Sequence, residues 1–93
     1  MQQPSTDPRY TDRCKALYPS LSRDLGEEGR VMVHVLIDAD GRVQQAEIKE
    51  SSGFNRLDDA AREAMLRCRF VPGKINGVAQ RMARDVPIRF GLR

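Results

Sequence analysis

The sequence has no tryptophan, a single histidine and two cysteines, and only 5% of its residues are aromatic. Cys14 and Cys68 are too far apart for a CxxC redox pair, and with His34 alone they do not make up a zinc site. Nucleophilic catalysis on Ser51 or Ser52 would need an oriented histidine and acid, whereas His34 falls in the middle of a predicted strand. We therefore expect no metal, no cofactor and no enzymatic activity.

Long apolar runs are also missing. The longest, Val31 to Ile37, contains His34 and is far shorter than the roughly 20 residues of a membrane-spanning helix. No charged and then apolar leader opens the chain, so we expect no signal peptide. Residues 1–13 are polar and contain two prolines, which predicts the mobile end of a linker. Residues 14–93 then suffice for one small domain.

The charge is mildly basic, with a net charge of +3 and a pI of about 9.2. Such an excess would suit a nucleic acid, an anionic head group or an acidic protein. However, the aromatic residues do not alternate with the cations as they do in stacking platforms for single strands. We interpret the cations as a solvated face and expect no nucleic-acid partner. The modest gathering of basic residues comprises Arg62, Arg67, Arg69, Lys74, Arg81, Arg84, Arg89 and Arg93.

The two cysteines leave two alternatives open. A disulfide between Cys14 and Cys68 would close a long loop and stabilise the fold by about 4 kcal/mol in the chain-entropy model. The other alternative, which the sequence slightly favours, is two unpaired thiols with one of them buried.

A short helix is predicted between Leu17 and Gly29. Pro19 suits a first helical position, and Leu21 and Leu25 stand four residues apart on one face. Only two turns are available.

A β-hairpin follows. Arg30 to Ile37 is the clearest strand, because β-branched residues occupy every second position. An Asp-Gly pair at 40–41 predicts a tight turn. The return strand, Val43 to Glu50, loses its alternation once, and a β-bulge near Gln44 and Gln45 would restore it.

The acidic turn Asp38-Ala39-Asp40-Gly41 has some features of a calcium loop. Such a loop needs a glutamate at its twelfth position, which is Lys49, and a glycine at its sixth position instead of its fourth. The hairpin turn is the better interpretation.

A longer helix is predicted from residues at helical spacing, Leu57, Ala60, Ala61, Ala64, Met65 and Cys68. Asn55 is the predicted N-cap, and Pro72-Gly73 ends the element. Cys68 is therefore expected to be buried. A polar loop is predicted from Lys74 to Met82, and Arg84 to Leu92 alternates as a final strand.

These elements predict an α+β fold, with a three-stranded antiparallel sheet and two helices packed on one face. The helix between the second and third strands returns the chain, so the sheet is wholly antiparallel only in the order 2-1-3. Both helices must then cover one face of the sheet. That face consists of Val31, Val33, Val35 and Ile37.

The last strand is predicted to lie on an edge of the sheet. Pro87 cannot donate to a ladder and is confined largely to edges, with its missing N–H facing outward. An open edge is a template for a partner strand. We expect a partner to bind along Arg84, Asp85, Val86, Pro87, Ile88, Arg89 and Phe90.

The chain resembles the TonB C-terminal domain from Leu17 to Leu92. Each motif is weak alone, but their order and spacing make the resemblance specific. The motifs are Tyr18-Pro19, Gly29-Arg30-Val31-x-Val33, Asp40-Gly41-x-Val43, Ser51-Ser52-Gly53, Leu57-Asp58-x-Ala60-Ala61, Arg69-Phe70-x-Pro72 and Val86-Pro87-Ile88-x-Phe90.

The resemblance implies a periplasmic, non-enzymatic module of an energy transducer. Its partners would be the Ton-box peptide and plug of outer-membrane transporters, bound by strand addition parallel to the edge strand. The missing N-terminal part would anchor the full protein in the inner membrane and meet an ExbB/ExbD-type motor. Proton-motive force would drive uptake of iron chelates, cobalamin or similar cargo.

Further expectations follow from the same resemblance. A segment before the first helix would line the partner's approach, with Lys15, Leu17, Tyr18 and Pro19 as its candidate residues. Cys68 stands where the family usually has a tryptophan, so another part of the chain must fill that volume, or the domain is less stable.

Alternatives remain at this point. A TolA-like structural envelope domain and a basic nucleic-acid-binding module belong to other functional classes. The second sheet face, with Met32, His34 and Leu36, is either plain surface or a further contact area, and a homodimer stays open.

Overall fold

The computed structural model describes residues 1–92, with only the backbone of Thr11. Within these residues, seven strands, two α-helices and one 3₁₀ helix follow one another. They are β1 (Ser5–Thr6), the 3₁₀ helix (Pro8–Cys14), α1 (Ser20–Asp24), β2 (Gly29–Ile37), β3 (Val43–Glu50), α2 (Asn55–Arg67), β4 (Phe70–Val71), β5 (Gly73–Ile75), β6 (Val78–Gln80) and β7 (Met82–Phe90). None of these helices is long and apolar enough to cross a membrane.

The main sheet has the order β3-β2-β7, and both pairings are antiparallel. The predicted α+β class and the order 2-1-3 are therefore confirmed. Val33 lies opposite Val86 and Val31 lies opposite Ile88, as the placement of the last strand beside the first required. The hairpin and the α2 crossover together determine this topology.

The predicted β-bulge is present between β2 and β3. Leu36 pairs with Gln45 while Ile37 pairs with Val43, so Gln44 has no partner across the ladder. A second shift, between Met32 and Val33, was not foreseen. The bulge at Gln44 restores the inward phase of the apolar side chains on β3.

The core lies between the sheet and α2. The inward residues of β2, from Val31 to Ile37 at every second position, have no exposed surface. Fully burying an aliphatic side chain of this kind contributes about 1.5–3 kcal/mol. The α2 stripe is confirmed as well. Its buried members are Leu57, Ala61, Ala64 and Met65, with Cys68 at the C-cap.

The start of α2 differs from the expectation. Phe54 is the N-cap and makes no side-chain capping bond, so the prediction for Asn55 was wrong. Asp58 instead holds the preceding loop against the first turn, because its carboxylate accepts hydrogen bonds from the Ser51 hydroxyl and from the amide and hydroxyl of Ser52. Burial raises the pKa of Asp58, but these hydrogen bonds outweigh burial and lower it.

The first helix buries a different face from the predicted one. Leu21 and Leu25 are 51% and 61% exposed, whereas Ser22 is fully buried and Tyr18 packs against the core. Tyr18 and Ser22 share the same four-residue spacing, so the sequence pattern was matched to the wrong pair. With five residues, α1 is too short for periodicity to choose between them.

The N-terminal residues, expected to be a mobile linker, instead lie against the domain. Ser5 and Thr6 pair with Val71 and Phe70. Pro4 and Asp7 are buried. Pairing with β4 thus makes this segment part of the folded domain.

The predicted polar loop from Lys74 to Met82 is also corrected. It contains the hairpin formed by β5 and β6. Asn76 and Gly77 turn the chain with φ of 52° and 80°, the left-handed pair of a type I′ turn. The Asn-Gly signal was present in the sequence, but the flanking strands are too short to alternate visibly.

Candidate partner-binding edge

Strand β7 is an edge of the main sheet. It pairs with β2 over nine residues without a shift, from Gly29 opposite Phe90 to Ile37 opposite Met82. Among residues 1–92 no strand pairs with its other side. A row of main-chain donors and acceptors therefore remains open along β7.

The phase of this open row follows from Pro87. Pro87 lies opposite Met32 within an uninterrupted ladder. Because proline has no N–H to donate, the ladder stays unbroken only if the Pro87 nitrogen faces away from β2. Alternate residues of an antiparallel strand share their orientation. The amides of Asp85 and Arg89 therefore face outward, and the sheet keeps a rigid row of donors there.

Side chains on the helix side hold the edge strand in place. Phe90 is buried, and Val86 and Ile88 are half-buried against the core. This anchoring leaves β7 straight and firmly attached while its outer main chain stays open.

On the other face, Asp85 links all three strands of the sheet. It accepts a hydrogen bond from Lys49 on β3, and its other oxygen lies 2.7 Å from Nδ1 of His34 on β2. The bond from Lys49, followed by that from His34, lowers the pKa of Asp85. The network was not predicted from the sequence. His34 and Asp85 share a phase of the alternation, but Lys49 stands at the unforeseen second bulge.

Tyr18 connects the approach segment to the edge strand. Its ring packs edge-on against Phe90, with centroids 5.4 Å apart and planes at 82°. Its hydroxyl donates a hydrogen bond to the carbonyl of Glu27. Burial, helped by the charge of Glu28, raises the pKa of Tyr18. The segment before α1 is thus fixed at the C-terminal end of β7.

The other three candidates of the approach segment have different surroundings. Nζ of Lys15 lies 3.5 Å from Oδ1 of Asp12 in an exposed ion pair. Leu17, which is 74% exposed, and Pro19 line an open groove of about 320 Å³ along α2. The structure therefore brings Tyr18 to the edge but leaves Lys15, Leu17 and Pro19 beside it.

A disulfide joins Cys14 to Cys68, with Cα atoms 4.4 Å apart. The preference for two unpaired thiols is thereby corrected. Cys68 is buried at the end of the α2 stripe, and Cys14 is partly buried against the core. Sequence spacing could not reveal this pair, because only the docking of the 3₁₀ helix brings the two residues together.

The chain was compared with known families and proteins. The family described as Gram-negative bacterial TonB protein C-terminal matches residues 15–92. This chain belongs to that family. The match spans the main sheet, both α-helices and the edge strand, and the expectation drawn from the motifs is confirmed.

Among relatives of this TonB C-terminal domain, Protein TonB of Vibrio cholerae is 37% identical over 75 residues, covering 81% of the chain and 31% of that protein. Protein tonB2 of Pseudomonas aeruginosa is 36% identical over 89 residues, covering 96% of the chain and 33% of that protein. The chain thus spans about a third of the length of these curated relatives.

Solved TonB domains share the fold. The solution structure of the Pseudomonas aeruginosa TonB C-terminal domain superposes with a TM-score of 0.68 at 28% identity, covering 97% of this chain and 85% of that one. The solution structure of a Helicobacter pylori TonB C-terminal domain superposes with a TM-score of 0.67 at 29% identity, covering 85% of this chain and 83% of that one. The second structure leaves more of this chain uncovered.

Proposed function

We propose that this TonB C-terminal domain captures the Ton-box peptide of outer-membrane transporters by adding it as a strand to β7. The observation that carries the proposal is the open outer side of β7 beside its unbroken nine-residue ladder with β2. Strand addition takes its affinity mainly from main-chain hydrogen bonds. Such binding needs a rigid edge, and the packing of Val86, Ile88 and Phe90 supplies one.

The features that limit self-association support the same proposal. Pro87 removes one outward donor, and charged residues such as Asp85 and Arg89 are common on edge strands that resist pairing of two copies. The acceptors and the two flanking donors stay available to a peptide. Tyr18 fixes the approach segment at one end of this row, so Lys15, Leu17 and Pro19 would meet the transporter beside the peptide.

In the whole protein this domain would act as the non-enzymatic, periplasmic end of an energy transducer. An N-terminal inner-membrane helix would connect it to an ExbB/ExbD-type motor, and proton-motive force would drive uptake of iron chelates, cobalamin or similar cargo. Membership of the TonB family supports this assignment.

A proline at Arg89 tests strand addition directly. Arg89→Pro removes one outward N–H and strands one peptide acceptor, so Ton-box binding should weaken by about 1–3 kcal/mol. Arg89→Ala is the matched control, because it deletes the same side chain but keeps the N–H and should bind nearly as wild type. Titration of ¹⁵N-labelled protein with transporter peptides gives both affinities and shows that each variant is folded.

The same titration reports the direction of the added strand. If the peptide runs parallel to β7, a spin label on its N-terminus should broaden the amides near Arg84 and spare those near Phe90. Equal binding by Arg89→Pro and wild type would overturn strand addition at β7. Binding of a colicin or phage protein in place of transporter peptides would favour the TolA-like alternative, and salt-sensitive binding of any oligonucleotide would favour the nucleic-acid module.

A further inference from the structure

Four arginines converge on a depression beside the start of β3. The depression has a volume of about 460 Å³, and its cationic lining comes from Arg13, Arg42, Arg67 and Arg69. Arg42 lies directly before β3, the opposite edge of the sheet from β7. A ligand here would therefore leave the edge strand free.

Within the described part of the chain these arginines form no ion pair, and the one carboxylate known to act on them is Asp7, through Arg69. Across residues 1–92, none of the four has a carboxylate within ion-pair distance. The nearby Asp7 is held by Arg9 through two hydrogen bonds of 3.2 and 2.9 Å. In addition, Nε of Arg69 is buried and has no hydrogen-bond partner in the described part of the chain. Uncompensated charge of this kind favours an anionic ligand.

The cluster is held together by the fold. Arg13 precedes Cys14, and Arg67 and Arg69 flank Cys68, so the disulfide ties three of the four arginines to one point. The guanidinium carbons of Arg13 and Arg69 lie 4.9 and 5.4 Å from the centroid of the Tyr10 ring.

The remaining arginine is positioned by the backbone. Arg42 forms an isolated antiparallel bridge with Arg69. The arginines are thus brought together before any ligand binds, which lowers the entropic cost of binding.

We propose that this depression binds a phosphate group. One guanidinium pairs side by side with two oxygens, so a carboxylate with only two oxygens would leave most of the four arginines unused. A phosphate offers more oxygens, arranged tetrahedrally, to cations approaching from several sides. Val43 and Leu66 also line the depression and suit the carbon skeleton that carries the phosphate. A phospholipid head group and a soluble phosphorylated compound share this chemistry.

Two probes separate those sources. Glycerol 3-phosphate represents a soluble ligand, and phosphatidylcholine vesicles with and without phosphatidic acid represent a membrane surface. In ¹⁵N spectra at low salt, the amides of residues 13, 42 and 67–69 should respond to at least one probe. A response to glycerol 3-phosphate supports a soluble ligand, whereas a response only to vesicles containing phosphatidic acid supports a lipid head group.

A pair of double variants tests whether the cluster itself binds. Arg42→Ala with Arg67→Ala changes two exposed residues of the depression and should weaken binding about tenfold or more, the scale of lost hydrogen bonds to charged groups. The control double variant, Arg30→Ala with Arg81→Ala, removes the same amount of charge from exposed residues outside the depression. This control should bind like wild type.

Three results would overturn the proposal. The first is that neither probe perturbs the amides of the cluster. The second is that the two double variants weaken binding equally, which would mean attraction to net charge alone. The third is that an acidic peptide binds the cluster while both phosphate probes do not. Reduction of the disulfide provides a further measurement, and it should weaken binding while the sheet amides keep their native shifts.

Discussion

Gly41, in the turn between β2 and β3, lies directly against the backbone of Phe70. Its φ is 87°, and a Cβ atom built on it would lie 2.0 Å from the carbonyl oxygen of Phe70. The amide of Phe70 donates to the Gly41 carbonyl at 2.9 Å, so the two segments are in direct main-chain contact. A side chain at this position must therefore push the β4 strand away from the turn.

Replacing Gly41 by alanine should accordingly be among the more destabilising single changes in the turn. We expect Gly41→Ala to lower the free energy of unfolding by about 3 kcal/mol or more. Gly26→Ala is the matched control, because Gly26 also has a positive φ but no atom near its Cβ position. It should cost about 1 kcal/mol. Urea denaturation measures both, and equal losses would show that the Phe70 contact is not responsible.

Asp85 gives the sheet a dependence on pH. The pKa of its carboxyl is lowered in the folded protein by Lys49 and then His34. A carboxyl with a lowered folded pKa stabilises the fold above its unfolded pKa, and this contribution is lost as pH falls through the folded pKa. The effect is therefore complete at neutral pH and fades in acid.

Asp85→Asn should destabilise the domain at pH 7. The difference in melting temperature between this variant and wild type should disappear as the pH falls below about 4. Thermal denaturation across this range measures it. Asp24→Asn, at an exposed residue outside the network, serves as the control. A difference between Asp85→Asn and wild type that stays constant down to acid pH would mean that the carboxylate charge is not the cause.

At the scale of elements, the 3₁₀ helix Pro8–Cys14 depends on its disulfide to α2. The two cysteines are 54 residues apart, and a loop of this length contributes about 4 kcal/mol in the chain-entropy model. The bond also holds Cys14 against the core beside the buried Cys68.

Reducing the disulfide should lower the free energy of unfolding by about 2–4 kcal/mol. Without reductant, a thiol reagent should label neither cysteine. The double variant Cys14→Ser with Cys68→Ser controls for the reductant, since its stability should not respond to it. Rapid labelling of both residues in the untreated protein would contradict the bond.

On the scale of the whole molecule, the domain has two exposed features on opposite edges of one sheet. The open main chain of β7 lies at one edge, and the arginine depression lies beside the start of β3 at the other. Strand β2 separates them and is fully buried on its helix side. A domain built in this way has room for a peptide at one edge and an anion at the other.

The alternation of residues 30–37, the Asp-Gly turn and the α2 stripe determined the main sheet, its order and the edge position of β7. Each of these signals is local and extends over several residues, so it can be recognised without knowledge of the rest of the chain. Pro87 added a backbone constraint that only an edge strand tolerates.

Only the tertiary structure decided how the weaker signals combine. Docking of residues 2–14 brought Cys14 to Cys68 and Arg13 to the other three arginines. The bulge at Lys49 placed that residue within hydrogen-bond distance of Asp85. Tyr18, before α1, and Ser22, within it, face inward because packing against the core, not helical periodicity, determined which residues are buried there. Such contacts join residues far apart in sequence, and their energy depends on the three-dimensional approach of two segments, which no local pattern records.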